Sequence, residues 1–181
     1  MNGLRIRDAR SSDRGAIEAV TLAAYEQYAA VMPALWDGYR QNILATLEAA
    51  QPDAQIVAEV EDRLVGSVLL YPAGTVFARP GGASITLASP EVRLLAVAPS
   101  ARGRGVGAAL MQECLRRARR SGAPALTLHT TEIMEAAMRL YERLGFRRAP
   151  ELDFQPAPSV TIKGYRLGLD QKDIAAVPGS T

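Results

Sequence analysis

Residues 4–9, LRIRDA, alternate apolar and polar side chains, the period of a half-buried strand. From about residue 14 to 30 the period lengthens: Ile17, Val20, Ala24, Tyr25 and Tyr28 fall near one helical face, and Asp13 is placed to cap it. Pro33 interrupts, and a second helix is expected from about Trp36 to Ala49. The stretch 54–74, AQIVAEVEDRLVGSVLLYPAG, predicts two strands joined by a hairpin around residues 61–63. A Gly/Pro-punctuated loop follows over 72–90. Then come a strand over 91–98, a glycine-rich turn, a helix over 105–120 and a strand over 125–130, ALTLHT. A further helix, about 133–144, meets Gly145, a good left-handed cap. FRRAPELDF and VTIKGYRLGL are expected as two closing strands, and the last residues, AAVPGST, as a frayed end. This order predicts a mixed α/β (α+β) fold, with 91–130 forming a parallel crossover unit.

Composition narrows the class. The 181 residues are 48% hydrophobic, enough for one domain over 1–170 with a tail at 171–181. A net charge of +2 gives no reason to expect nucleic acid or a membrane surface as partner. The single cysteine, Cys114, excludes an internal disulfide framework and reads as a small buried hydrophobe. Arg5, Arg7, Asp8 and Arg10 interrupt the place of a signal peptide's apolar core, and no run of about 18 apolar residues exists. The expectation is a cytoplasmic protein. One histidine and one cysteine offer little basis for a transition-metal site, and none is expected.

The segment LLAVAPSARGRGVGAALMQECLRRAR concentrates the chemistry. Its glycines let main-chain amides approach a ligand, and the following helix presents its positive end to an anion. Arg102 and Arg104 could add charge-assisted contacts, while RRARR at 116–120 reads as a solvated face. No G-x-x-x-x-G-K-[ST] run is present. Gly103, Gly105 and Ala108 satisfy the weak G-x-G-x-x-[GA] dinucleotide pattern, but LTLHTT follows where a ribose-binding acid would be needed. A plain strand-to-helix turn with solvated arginines remains the alternative.

VAPSARGRGVG resembles the coenzyme A motif [RQ]-x-x-G-x-[GA] of the GNAT N-acetyltransferase superfamily, through Arg102, Gly105 and Gly107. AAMRLYERLGF resembles the family's second hallmark, through Ala137, Leu140, Tyr141, Gly145 and Phe146. The two lie in the family's order, about 35 residues apart with a strand between them. The resemblance implies the family's fold: a mostly antiparallel central sheet with a splayed parallel strand pair, flanked by helices. It implies acetyl-CoA as acetyl donor, its diphosphate on the amides of Arg102, Gly103, Arg104, Gly105, Val106 and Gly107, with Ala108 just behind. The pantetheine arm would follow the backbone of Leu95, Ala96 and Val97, with Met134, Ala137 and Tyr141 on the facing helix. Met134 stands where relatives carry an asparagine that binds pantetheine; either Thr130 or Thr131 substitutes or the contact is absent.

The implied reaction is direct acetyl transfer to a primary amine in a ternary complex. An ammonium of pKa about 10.4 must lose a proton, and the departing thiolate must gain one. Tyr141 is the implied acid. Glu91 matches a glutamate that serves as base in one branch of the family, and strand alternation puts Glu91, Arg93, Leu95 and Val97 on one side unless a bulge intervenes. His129 competes with Glu91 as base, its alternative being a structural histidine. Trp36, Tyr39 and Tyr28, with Glu91, are the expected acceptor-pocket residues. The acceptor could be a small amine, an amino acid, an aminoglycoside-like drug or a peptide, and the reading leaves room for a homodimer. A catalytically weak coenzyme-binding regulator is the alternative function.

Overall fold

Each element follows from its local sequence. The computed structural model describes residues 3–51, 54–78, 84–157 and 160–169. Strands β1 (Arg5–Asp8), β2 (Gln55–Val60) and β3 (Arg63–Tyr71) form an antiparallel set. Glu61 and Asp62 join β2 to β3 at φ 49° and 60°, the paired positive angles that suit a tight hairpin's twist. A short hairpin follows, β4 (Val76–Ala78) with β5 (Ser84–Thr86), then β6 (Glu91–Val97) and β7 (Ala125–Thr130). The chain closes with β8 (Arg147–Arg148), β9 (Phe154–Ala157) and β10 (Val160–Gly168). The main sheet runs β1-β2-β3-β6-β7-β10-β8, with β9 on β10; β6 and β7 are parallel and their neighbours antiparallel.

The helices are α1 (Arg14–Tyr25), α2 (Pro33–Ala49), α3 (Val106–Arg120) and α4 (Glu135–Arg143). Adjacent residues of β3 show where two of them lie. Ser67 Oγ meets Thr21 Oγ1 of α1 at 3.1 Å, whereas a Cβ at Gly66 would come within 3.0 and 3.1 Å of Val106 and Leu110 of α3. Successive strand residues point to opposite faces, so α1 and α3 cover opposite sides of the sheet. The α3 side holds the larger core, including Leu110, Met111, Cys114, Leu126 and Leu128. The other side packs Ala24, Tyr25, Ile43, Ala96 and Met134. Among the described residues no helix is long and apolar enough to cross a membrane.

Several boundaries move, for physical reasons. Helix α1 stops at Tyr25 and tightens into a 3-10 turn over Glu26–Tyr28 instead of running on to near residue 30, as the Ala24 carbonyl accepts from Arg102 at 2.9 Å and Gln27 at 2.8 Å. A continuing helix would have reserved that carbonyl for the amide of Tyr28. Asp13 precedes α1 without capping it, since its carboxylate takes Arg7 and the Arg10 amide instead. Pro33 opens α2 rather than merely interrupting, being suited to a first helical position. The 72–90 loop contains the β4–β5 hairpin, tethered by Phe77 edge-on to Tyr71 at 5.0 Å. The first closing strand is broken, because Pro150 starts a 3-10 turn over Pro150–Leu152. The expected tail at 171–181 lies outside the described residues.

Candidate active site

Strand β6 organises the site through one extra residue. Its pairing with β3 goes from Leu69↔Arg93 to Ser67↔Ala96, so Leu94 and Leu95 both stand opposite Val68. Leu94 takes φ 49°, an uncommon angle for a branched side chain and the mark of a bulge. The bulge overturns simple alternation: Leu95 and Val97 join the core under α3, while Leu94 and Ala96 face α1. Glu91 and Arg93 therefore do not share a side with Leu95 and Val97. On the other edge, β6 pairs with β7 only at Glu91↔Thr127 and Val92↔Leu128. Beyond Val92 the β6 edge toward β7 is unpaired, and a cleft of about 380 Å³ opens beside it.

The glycine-rich turn closes one end of this cleft. Gly103 and Gly105 take φ 72° and 80°, left-handed values that spare glycine the Cβ clash of other residues. Among the described residues, no carbonyl or side chain accepts from the amides of residues 103–108; the next amide, Ala109, bonds Gly105 O at 2.9 Å. Unpaired amides at a helix start form a concavity suited to anionic oxygens. Gly107 matters for packing instead. A Cβ there would lie 3.3 Å from Leu140 and 3.5 Å from Val97, so its absence lets α4 close onto α3 and β6. Arg102 is committed to the end of α1 and the turn after it, donating to Ala24 O and to Gln27 Oε1 at 3.1 Å.

Helix α4 supplies Tyr141 to the cleft wall, its ring buried against Phe146 and Tyr165. Burial, with smaller effects from Tyr28, Cys114 and Tyr39, pushes its phenol pKa well above the usual value, so the proton stays on. Burial likewise pushes the Cys114 thiol up to about 12, which leaves it an inert core residue.

At the opposite end of the cleft Arg93 and His129 line the wall, held from behind by separated segments. Glu91 is 4% exposed, with Arg93 Nε 3.0 Å from Oε1 and His129 Nδ1 3.3 Å from Oε2. His129 Nε2 lies 3.0 Å from Leu152 O; a carbonyl only accepts, so Nε2 carries the hydrogen. Nδ1 therefore faces the carboxylate, close enough for ionic attraction but without hydrogen-bond alignment. Burial lowers the imidazole pKa, but Glu91 and the Leu152 carbonyl together outweigh it and raise the value above 6.5. The Arg93 guanidinium lies over the Phe77 ring, 4.3 Å from its centroid.

The two competing base candidates, Glu91 and His129, are thus in contact. Leu95, Val97, Arg102, Gly103, Gly105, Val106, Gly107, Ala108, Met134, Ala137 and Tyr141 all line the cleft; Ala96 and Arg104 do not. Tyr28 lines it too, whereas Trp36 and Tyr39 do not; Trp36 meets Tyr39 edge-on at 6.4 Å between centroids, and Tyr39 meets the lining Tyr25 at 6.0 Å in a tilted contact. Arg93, Phe77 and the Leu152 carbonyl were not expected; only the alternation of Arg93 with Glu91 hinted at any of them. Thr130 Oγ1 and Thr131 Oγ1 are buried without a hydrogen-bond partner, near the position where Met134 departs from the family pattern. Unpaired turn amides and an unpaired strand edge on one cleft together fit a long, polar, diphosphate-bearing coenzyme.

Comparison with known proteins agrees. Residues 21–146 match the Acetyltransferase (GNAT) family. A mycothiol acetyltransferase of Nocardiopsis dassonvillei is 40% identical over 88 residues, covering 44% of this chain and 27% of that protein. An L-2,4-diaminobutyric acid acetyltransferase of Nocardia farcinica is 33% identical over 105 residues, covering 58% of this chain and 49% of that protein. The chain thus spans half or less of the length of these relatives. In fold it resembles yncA of Salmonella typhimurium, solved with its cofactor acetyl-CoA, at TM-score 0.60 and 20% identity over 99% of this chain and 100% of that one. With both motifs on one cleft and the family match spanning most of the chain, the protein belongs to the GNAT acetyltransferase family.

Proposed function

We propose that the protein is an acetyl-CoA-dependent N-acetyltransferase that acts on a primary amine. The observation that carries this reading is the run of unpaired amides at 103–108, opening on the same cleft as Tyr141 and the free edge of β6. Acetyl-CoA, when bound, supplies an acetyl thioester open to attack by an amine. The turn amides, with the positive end of α3, hold the diphosphate. The β6 edge that β7 leaves open beyond Val92 offers strand-like hydrogen bonds to an extended arm, and the Leu95 amide serves a developing oxyanion. The Leu95 carbonyl also accepts from the Tyr25 hydroxyl at 3.4 Å.

Transfer forms one N–C bond and breaks one C–S bond; the nitrogen gives up a proton and the departing sulfur takes one. Tyr141 holds the proton for the sulfur, and its raised pKa keeps that proton in place across the neutral range. The Glu91–His129 pair receives the proton of the amine. Its Nε2 is closed by Leu152, so the open position is Nδ1 and the carboxylate beside it. Both atoms are buried, and the proton reaches them through water.

The test is thermal unfolding with added ligand, then thiol release with an amine panel followed by mass spectrometry. Acetyl-CoA at about a hundredfold excess over Kd should stabilise by about 2.7 kcal/mol, and NAD and ATP should not. Equal protection by NAD would revive the dinucleotide reading. Coenzyme protection without thiol release from any amine would favour a regulator.

A further inference from the structure

Charge is distributed one-sidedly over the cleft. Its lining includes Arg93, Arg102 and Arg143; the acid beside it, Glu91, is buried behind that lining and already paired with Arg93 and His129. Arg102 belongs to the turn, and Arg143 lies one helical turn beyond Leu140, the residue that crowds Gly107. Arg93 is the charged lining residue at the other end, near the start of β6 and beside the Glu91–His129 pair proposed to receive the amine proton.

Arg93 is held in place from two sides. Its Nε is paired with Glu91 Oε1 at 3.0 Å, and its guanidinium rests on Phe77 at 4.3 Å. Among the described residues no carboxylate or carbonyl pairs with its two Nη nitrogens, and its side chain is 34% exposed. A guanidinium with its plane set by an aromatic ring and its outer fork free matches the geometry of a carboxylate. A polycationic acceptor would instead meet like charge at Arg93, where the one neighbouring carboxylate, Glu91, is buried and already paired with Arg93 and His129.

We propose that Arg93, seated on Phe77 and braced by Glu91, receives a carboxylate of the acceptor. The acceptor class is then an amino-acid-like primary amine, rather than a polyamine or an aminoglycoside-like polycation. This rests on the acetyltransferase reading and narrows its substrate.

The experiment compares alanine, serine, lysine and aspartate with their carboxamides, and with spermidine. Thiol release supplies kcat and KM, and calorimetry on the coenzyme A-loaded protein measures binding without turnover. Free acids should bind about 10- to 100-fold more tightly than the amides, the range set by one charged hydrogen-bonding group, with the difference carried in KM. Arg93→Gln should erase the preference, while Arg93→Lys keeps part of it. Phe77→Leu leaves the charges in place and should shrink the preference with coenzyme protection intact, which guards against misfolding of the arginine variants. An acidic dipeptide that matched the free acids would support the same recognition from a peptide source. Equal use of acids, amides and spermidine would overturn the proposal while leaving the acetyltransferase reading standing. So would an Arg93→Gln loss that fell equally on acids and amides. No coenzyme protection and no thiol release with any amine would overturn the acetyltransferase reading, and this inference with it.

Discussion

At one end of the cleft, the anion site is a single unbroken stretch, residues 103–108, whose working groups are main-chain amides. At the other end, Glu91, Arg93, Phe77, His129 and the Leu152 carbonyl come from β6, the β4–β5 hairpin, β7 and the turn before β9. The first depends on local backbone angles and tolerates any side chain that leaves the amides bare. The second depends on side-chain charge and on contacts between distant segments. The same cleft thus joins a site specified by conformation to one specified by assembly, and substitutions should separate them.

The largest effect is expected at the conformational end. Gly105→Val puts a β-branched residue at φ 80°, a strain of about 1–3 kcal/mol, and adds methyl groups where an anion must approach. Protection by acetyl-CoA in thermal unfolding should disappear. A variant that kept full protection would break the assignment of the turn.

Tyr141→Phe comes next. It keeps the ring packed on Phe146 and Tyr165 but removes the proton, so kcat should fall about 10²–10⁴-fold, as for a lost general acid. Coenzyme protection should be unchanged. Loss of protection instead of rate would make Tyr141 a packing residue.

Glu91→Gln tests the assembled end through pH. Glu91 holds the His129 pKa above 6.5 in the folded protein. The pair's contribution to stability is therefore full below about pH 6.5 and lost as pH rises through the folded pKa. Melting temperature should decline over that range in the parent protein, and this decline should flatten in Glu91→Gln. Amine KM should rise about tenfold as Arg93 loses its brace, with coenzyme protection kept. An unchanged pH dependence would show that the two side chains are not coupled.

The smallest effect is expected from Arg102→Ala. The amides of the turn stay, and what is lost is the tie from Arg102 to Ala24 and Gln27. A stability loss of about 0.5–1.5 kcal/mol follows, with coenzyme affinity weakened less than in Gly105→Val. Loss of coenzyme binding as complete as in Gly105→Val would mean that the guanidinium, rather than the amides, holds the anion.

What the chain's sequence determined by itself were the local features. Alternation in residues 4–9, the strand-like runs of 54–74 and 125–130, and the glycine after α4 located their elements nearly to the residue. The turn was legible for the same reason: its glycines, its unpaired amides and the helix they open are contiguous. Only the tertiary structure decided the rest. The bulge at Leu94 flips the phase of β6, and one extra residue leaves no mark in an alternating apolar run. At the early end of α1 the Ala24 carbonyl is shared between the local Gln27 side chain and Arg102, 78 positions away along the chain, and only the second partner is tertiary. Glu91 and His129 read as rivals because each had a plausible proton role alone. Their contact, with Arg93 and Leu152 beside them, exists only because parallel pairing sets β7 against β6 and the turn before β9 folds over His129. Backbone conformation is written in nearby residues, whereas a charge network depends on through-space distances that no spacing along the chain records.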